Sequence, residues 1–143
     1  MVLVDVNILI YAIDRDSPAH DRAHRWMEEA LSGGEAVGFS WLVLLAFLRL
    51  VTRPDVLVRP LDLESALAYV DEWVTLPAAR LVTPTESHWG VLRGLLADAG
   101  AAGNLTNDAH LAALALEHNA TLCSADHDFL RFPGIRLINP LAA

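Results

Sequence analysis

The sequence predicts an α/β fold: a single three-layer α/β/α domain with helices on both faces of a parallel sheet of about five strands. Three observations predict it. Short apolar runs such as Val2-Leu3-Val4 and Thr121-Leu122-Cys123 alternate with longer stretches of helical periodicity, the pattern of strands joined by crossover helices. A length of 143 residues fits one domain, taken as 1–143. Hydrophobic residues make up 54% of the chain and charged residues 20%, which suffices for a core and argues against disorder.

The elements follow in order. Val2 to Val4 reads as a strand and Asn7 to Ile13 begins a helix. A second helical stretch starts near Pro18, runs through Ala30 and closes at Ser32-Gly33-Gly34, a breaker sequence. Ala36 to Phe39 is the next strand. A helix from Ser40 to about Thr52 must end before Arg53-Pro54, because a residue preceding proline disfavours helical dihedrals. That helix is apolar nearly all round and is expected to be buried, with Arg49 reaching an edge where anions or carboxylates lie. Asp62 is a plausible N-cap for a helix carrying Leu63, Ala66, Leu67, Val70 and Val74 at helical spacing. Arg80 to Val82 is a short strand, Thr85 is placed to cap a helix to Ala99, and Gly100 stops it. Asn107 to His118 is the last helix; Thr121 to Cys123 and Ile135 to Ile138 are the last strands.

The net charge is −8, with ten arginines and no lysine, which weighs against holding nucleic acid by a broad basic surface. It fits a concentrated acidic site that needs cations, or association with a basic partner. Cys123 is the single cysteine; it excludes an internal disulfide and a cysteine-cluster metal site, reads as core filler, and fits a reducing cytoplasm. The N-terminus lacks the basic start of a signal peptide, and the greasy run Trp41 to Phe47 is too short to span a bilayer. No membrane association is expected.

In an open parallel sheet the site lies beyond the carboxyl ends of the strands. Asp5 directly follows the first strand; Ser124, Asp126 and Asp128 follow Thr121-Leu122-Cys123; Asp108 lies in the first turn of the helix leading into that strand. Each acid alone has an ordinary reading as a cap or loop residue. Together at one edge they repel, with no lysine to neutralise them. A hard divalent cation resolves that repulsion, since Mg²⁺ takes a few carboxylates and keeps several waters, and such a site supports phosphodiester hydrolysis. Other candidates carry less. His20 and His24 share a helix face without the glutamate of a zinc-protease motif; His110, His118 and His127 are scattered; and Trp26, Trp41, Trp73 and Trp89 read as core or dimer surface.

These residues resemble a PIN domain, specifically the VapC-type toxin of a VapBC toxin–antitoxin pair, over essentially the whole chain. Val4-Asp5-Val6-Asn7-Ile8-Leu9-Ile10-Tyr11 is similar to the family's first motif, which implies Asp5 as a metal ligand and Asn7 in support. Asn104 to Ala115 resembles the third motif and implies Asp108 as a ligand. Ala120 to Phe129 resembles the last, with Asp126 as a ligand and Ser124 and Asp128 as near neighbours. The second motif departs: within Ser40 to Arg49 the family's usual glutamate is Ala46. The resemblance implies an endoribonuclease using Mg²⁺ or Mn²⁺ on cellular RNA, a homodimer, and inhibition by a VapB-type antitoxin whose tail inserts an arginine among the acids. Ala46 leaves open a PIN module that binds antitoxin or RNA without cutting. A response-regulator receiver and a haloacid-dehalogenase-type phosphatase fit less well, because both rely on a lysine that this chain lacks.

Overall fold

The computed structural model describes residues 1–142. In chain order these form β1 (Val2–Val4), α1 (Val6–Ile13), α2 (His20–Ser32), β2 (Val37–Phe39), α3 (Trp41–Val51), α4 (Leu63–Thr75) and β3 (Ala79–Leu81). There follow α5 (His88–Ala99), α6 (Leu105–Glu117), β4 (Thr121–Cys123), a 3-10 helix (His127–Arg131) and β5 (Leu137–Ile138). The five strands are all parallel in the order β3-β2-β1-β4-β5, as the alternation of elements predicts.

The order runs outward in both directions from the β1–β4 pair, so the topological switch lies between those two strands. That is where an open α/β sheet leaves a crevice for ligands. The register aligns Val4 with Cys123, and the pairing continues one step further as Asp5 N donates to the Cys123 carbonyl at 2.9 Å. Asp5 and Ser124 therefore leave the two central strands side by side.

Leu3, Val4, Phe39, Leu122 and Cys123 are fully buried on these strands, and continuous burial on both faces is what a covered parallel sheet demands. Burial also pushes the Cys123 thiol up to about 12, so it is inert packing, as its apolar surroundings suggest. Gly38 in β2 is required by space: a Cβ there would stand 2.7 Å from Val82 Cγ2. Gly100 ends α5 at φ 68°, the left-handed C-cap for which glycine is suited.

Two expectations need correction. Helix α3 is not buried all round. Val43, Leu44, Phe47 and Val51 form its inner face, but Trp41 is 56% and Leu45 60% exposed, and Arg49 is exposed too. Composition alone could not show that one side of an almost wholly apolar helix faces outward. Thr85 does not cap α5, which starts only at His88. Its backbone N and Oγ1 both donate to Glu117 Oε1, at 2.9 and 2.6 Å, because the C-terminal end of α6 brings a buried carboxylate within reach. The remaining boundaries shift by one or two residues, and β5 keeps only Leu137 and Ile138 as a short edge strand.

Candidate active site

The β1–β4 side of the crevice is closely hydrogen-bonded. Asp5 is the N-cap of α1: its Oδ1 accepts from Val6 N at 2.7 Å. Its Oδ2 accepts from Ser124 Oγ at 2.7 Å and from Asn7 Nδ2 at 3.4 Å. The Ser124 hydroxyl, fully buried, also accepts from Asn7 Nδ2 at 3.1 Å and from Asp126 N at 3.0 Å. One donated and two accepted bonds exhaust a hydroxyl's capacity. Asn7 Oδ1 accepts from Ala125 N at 3.3 Å, and Asp126 Oδ1 caps the 3-10 helix by accepting from Asp128 N at 2.9 Å. The short motifs after the two strands thus lock onto each other across the switch point.

Across from them stands Asp108, in the first turn of α6. It is half-buried, and its carboxylate accepts no hydrogen bond from the described residues. Burial, then the charges of Asp126, Asp5 and Asp128, push it up to about 6. Asp5 is raised as well, chiefly by burial and further by Asp126, while the bonds from Ser124 and Val6 pull the other way. Asp5, Asp126 and Asp128 are therefore all within electrostatic reach of Asp108, and Asp126 within reach of Asp5. A cavity of about 410 Å³ is lined by Asp5, Asn107 and Asp108 together with Ala46, Arg49 and an apolar wall that includes Leu42, Leu45 and Leu111. Asp126 does not line it. A larger cavity, about 570 Å³, lies among α1, α2 and α4 and carries His24, Glu28 and Glu72. None of the four acids borders it.

A family model described as PIN domain matches residues 2–135, a span holding Asp5, Ala46, Asp108 and Asp126. The chain belongs to the PIN-domain family. It is 47% identical over 142 residues to "Ribonuclease VapC37" of Mycobacterium tuberculosis, covering 99% of each chain. It is 38% identical over 141 residues to "Ribonuclease VapC33" of the same species, again covering 99% of each. Among solved structures it superposes on VapBC2 from Rickettsia felis bound to a DNA fragment from its promoter, with a TM-score of 0.70 and 24% identity. The match covers 97% of this chain and 98% of that one, and it shows the fold.

Within this PIN domain the donors available for a metal are carboxylate oxygens, the hard ligands that Mg²⁺ and Mn²⁺ prefer. Among the described residues no three His, Cys, Asp or Glu side chains form a ready-made ion cage. An open set suits a cation that keeps several of its waters and takes only one or two carboxylates directly. The donor chemistry fits, and Ala46 in the wall leaves one side of the cavity without an acid.

The histidines passed over in the sequence behave in two ways. His24 sits on an exposed face with Glu28 at 3.1 Å, His118 reaches the Thr83 carbonyl at 2.7 Å, and His127 is exposed. His110, in contrast, belongs to a network that sequence reasoning missed. His88 bridges Glu117 Oε2 at 2.5 Å and His110 Nδ1 at 2.9 Å. Burial raises Glu117, but the hydrogen bonds from Thr85 and His88 together outweigh it and hold the carboxyl below its usual range. His110 follows Asp108 by two residues, so it projects about 200° away around α6 and ties that helix to α5. Partners 22 and 29 residues apart leave no local signal in a sequence.

Proposed function

We propose that this PIN domain is a metal-dependent endoribonuclease, the toxin of a type II toxin–antitoxin pair, which hydrolyses phosphodiester bonds of cellular RNA. The observation that carries the reading is that Asp5 and Asp108, from separate parts of the chain, line one cavity, with Asp126 tied to Asp5 through Ser124; burial and the repulsion of these carboxylates raise Asp108. Such repulsion is retained where a cation or a reacting group is to be held. The names of the relatives, ribonucleases at 38–47% identity, point the same way.

In this reading Asp5, Asp108 and Asp126 hold Mg²⁺ or Mn²⁺. The ion supplies activation of a water and neutralisation of charge on the phosphate. Asn7 and Ser124 fix the Asp5 carboxylate, so its orientation is set before any ligand arrives. Exposed Trp41 and Leu45 on α3, with Leu45 in the cavity wall, offer apolar surface for a VapB-type antitoxin or for a second copy in a homodimer. No helix among the described residues is long and apolar enough to cross a membrane, in keeping with a cytoplasmic RNA substrate.

Ala46 favours a second reading, a module that binds without cutting. One experiment separates the two: incubation of the chain with structured RNA in Mg²⁺, in Mn²⁺ and in EDTA, with RNA ends mapped, beside Asp5→Asn and Asp108→Asn. Cleavage in either divalent ion and none in EDTA is expected. Neighbours of metal ligands alone affect activity 10–100-fold, so losing a ligand should reduce cleavage by about 100-fold or more. RNA bound but uncut in both ions decides for the non-cutting module.

A further inference from the structure

Arg49 is the one basic side chain in the wall of the cavity that Asp5 and Asp108 line. It stands three residues beyond Ala46, on the same side of α3, and it is exposed. Five of the other nine arginines are engaged within the fold. Arg53 and Arg59 form ion pairs with Asp55 and Asp16, and Arg22, Arg80 and Arg136 bind backbone carbonyls. The Arg49 guanidinium, like those of Arg15, Arg25, Arg93 and Arg131, makes no ion pair or hydrogen bond with the described residues, and of these five it is the one that borders the cavity lined by Asp5 and Asp108.

We propose that Arg49 binds a phosphate of the RNA strand next to the acidic site. The proposal rests on the ribonuclease reading and names the contact that lets a chain of net charge −8 hold a polyanion. With ten arginines and no lysine, attraction for the phosphate backbone rests on individual arginines and on any bound cation. A guanidinium carries a planar fork of donors that matches phosphate oxygens in pairs. Because Arg49 is not consumed by Asp5 or Asp108, its donors remain available, and its place on the rim puts a bound phosphate beside the acids. A competing role is purely structural: Arg49 lies in the last turn of α3, where a cation meets the negative end of the helix dipole. That role predicts a small loss of stability on substitution and unchanged RNA affinity.

The test is binding of a short, fluorescein-labelled single-stranded RNA in EDTA, where no cleavage interferes. Fluorescence anisotropy is read over a series of salt concentrations for the parent, Arg49→Lys and Arg49→Gln, with thermal melts to confirm folding. Arg49→Gln should bind about tenfold more weakly, as expected for loss of a charge-assisted hydrogen bond. Its plot of log affinity against log salt should be shallower by about 0.7, the contribution of one phosphate contact on a single strand. Arg49→Lys should keep the parent slope. Parent-like affinity and slope in Arg49→Gln overturn the proposal while leaving the ribonuclease reading to its own cleavage assay. A parent that binds no RNA at any salt concentration in EDTA overturns the Arg49 proposal as well, and the ribonuclease reading is again decided by its cleavage assay.

Discussion

The two sides of the acidic crevice are built in opposite ways. On the β1–β4 side, Asp5, Asn7, Ser124 and Asp126 form a continuous hydrogen-bonded chain in which the buried serine uses its whole bonding capacity. On the α3–α6 side, Asp108 and Arg49 make no side-chain hydrogen bonds with the described residues, and Ala46 presents only a methyl group. Both sides hold a carboxylate with a raised pKa. Only at Asp5 do hydrogen bonds oppose the effect of burial; at Asp108 every cause acts upward. One side is held in shape by the fold itself. The other retains an electrostatic conflict, and a cation or a substrate can relieve it.

This contrast is broken most forcefully by removing the two acids separately. Asp5→Asn and Asp108→Asn should cost about equally in RNA cleavage, yet diverge in stability. An amide at position 5 cannot accept from both Val6 and Ser124 as the carboxylate does. Asp5→Asn should therefore destabilise the fold by about 1–3 kcal/mol, the cost of a buried polar group left unpaired, read by urea denaturation. Asp108→Asn should not. If the two variants melt together, the distinction between the sides is wrong.

Ser124→Ala tests the bonded side without touching a charge. It removes the partner of Asp5 Oδ2, Asn7 Nδ2 and Asp126 N at once, and about 1–3 kcal/mol of stability should be lost. A smaller change, under ~0.5 kcal/mol, would mean that water replaces the hydroxyl at no cost.

Ala46→Glu sharpens the contrast from the open side. A carboxylate added to the cavity wall repels Asp5 and Asp108 when no metal is present and becomes a ligand when one is. The variant should be less stable in EDTA and bind Mn²⁺ about tenfold more tightly, a gain of ~1.4 kcal/mol, measured by calorimetry. Unchanged affinity would remove Ala46 from the place of the absent glutamate.

The smallest effect is on pH dependence. In the folded chain Asp108 titrates at about 6 against an ordinary value of 3.8, so the folded state binds its proton more tightly than the unfolded state does. Stability from this group is present below the ordinary value and is lost as pH rises through about 6. In EDTA, Asp108→Asn should accordingly melt higher than the parent by roughly 2–4 °C at neutral pH, and the gap should close below pH 4. A gap independent of pH would assign the effect to packing instead.

How far the sequence foretold this molecule depends on how local each signal is. Asp5, Ser124 and Asp126 each follow a short apolar strand directly, so parallel pairing of those strands is enough to bring them together. Asp108 was legible because the helix that bears it returns at once to the strand preceding Asp126. The exposed Trp41 and Leu45 were not legible, since an apolar residue carries no mark of which side of its helix meets the core. The His88–Glu117–His110 network was missed for a related reason: it exists only because α5 and α6 pack against each other, and no fixed spacing announces it. Thr85 was misread as a helix cap because its true partner, Glu117, lies 32 residues away.

The central claim is that the bonded and open sides act as one cation site. Calorimetric titration of Mn²⁺ into the parent, Asp5→Asn and Asp108→Asn tests it most directly. The parent should bind weakly, in the millimolar range, as expected for a few carboxylates and retained waters. Either substitution, whichever side it falls on, should weaken binding by about tenfold or more. If Asp108→Asn binds Mn²⁺ as the parent does, the two sides do not share an ion, and the account of a single metal-dependent site is contradicted.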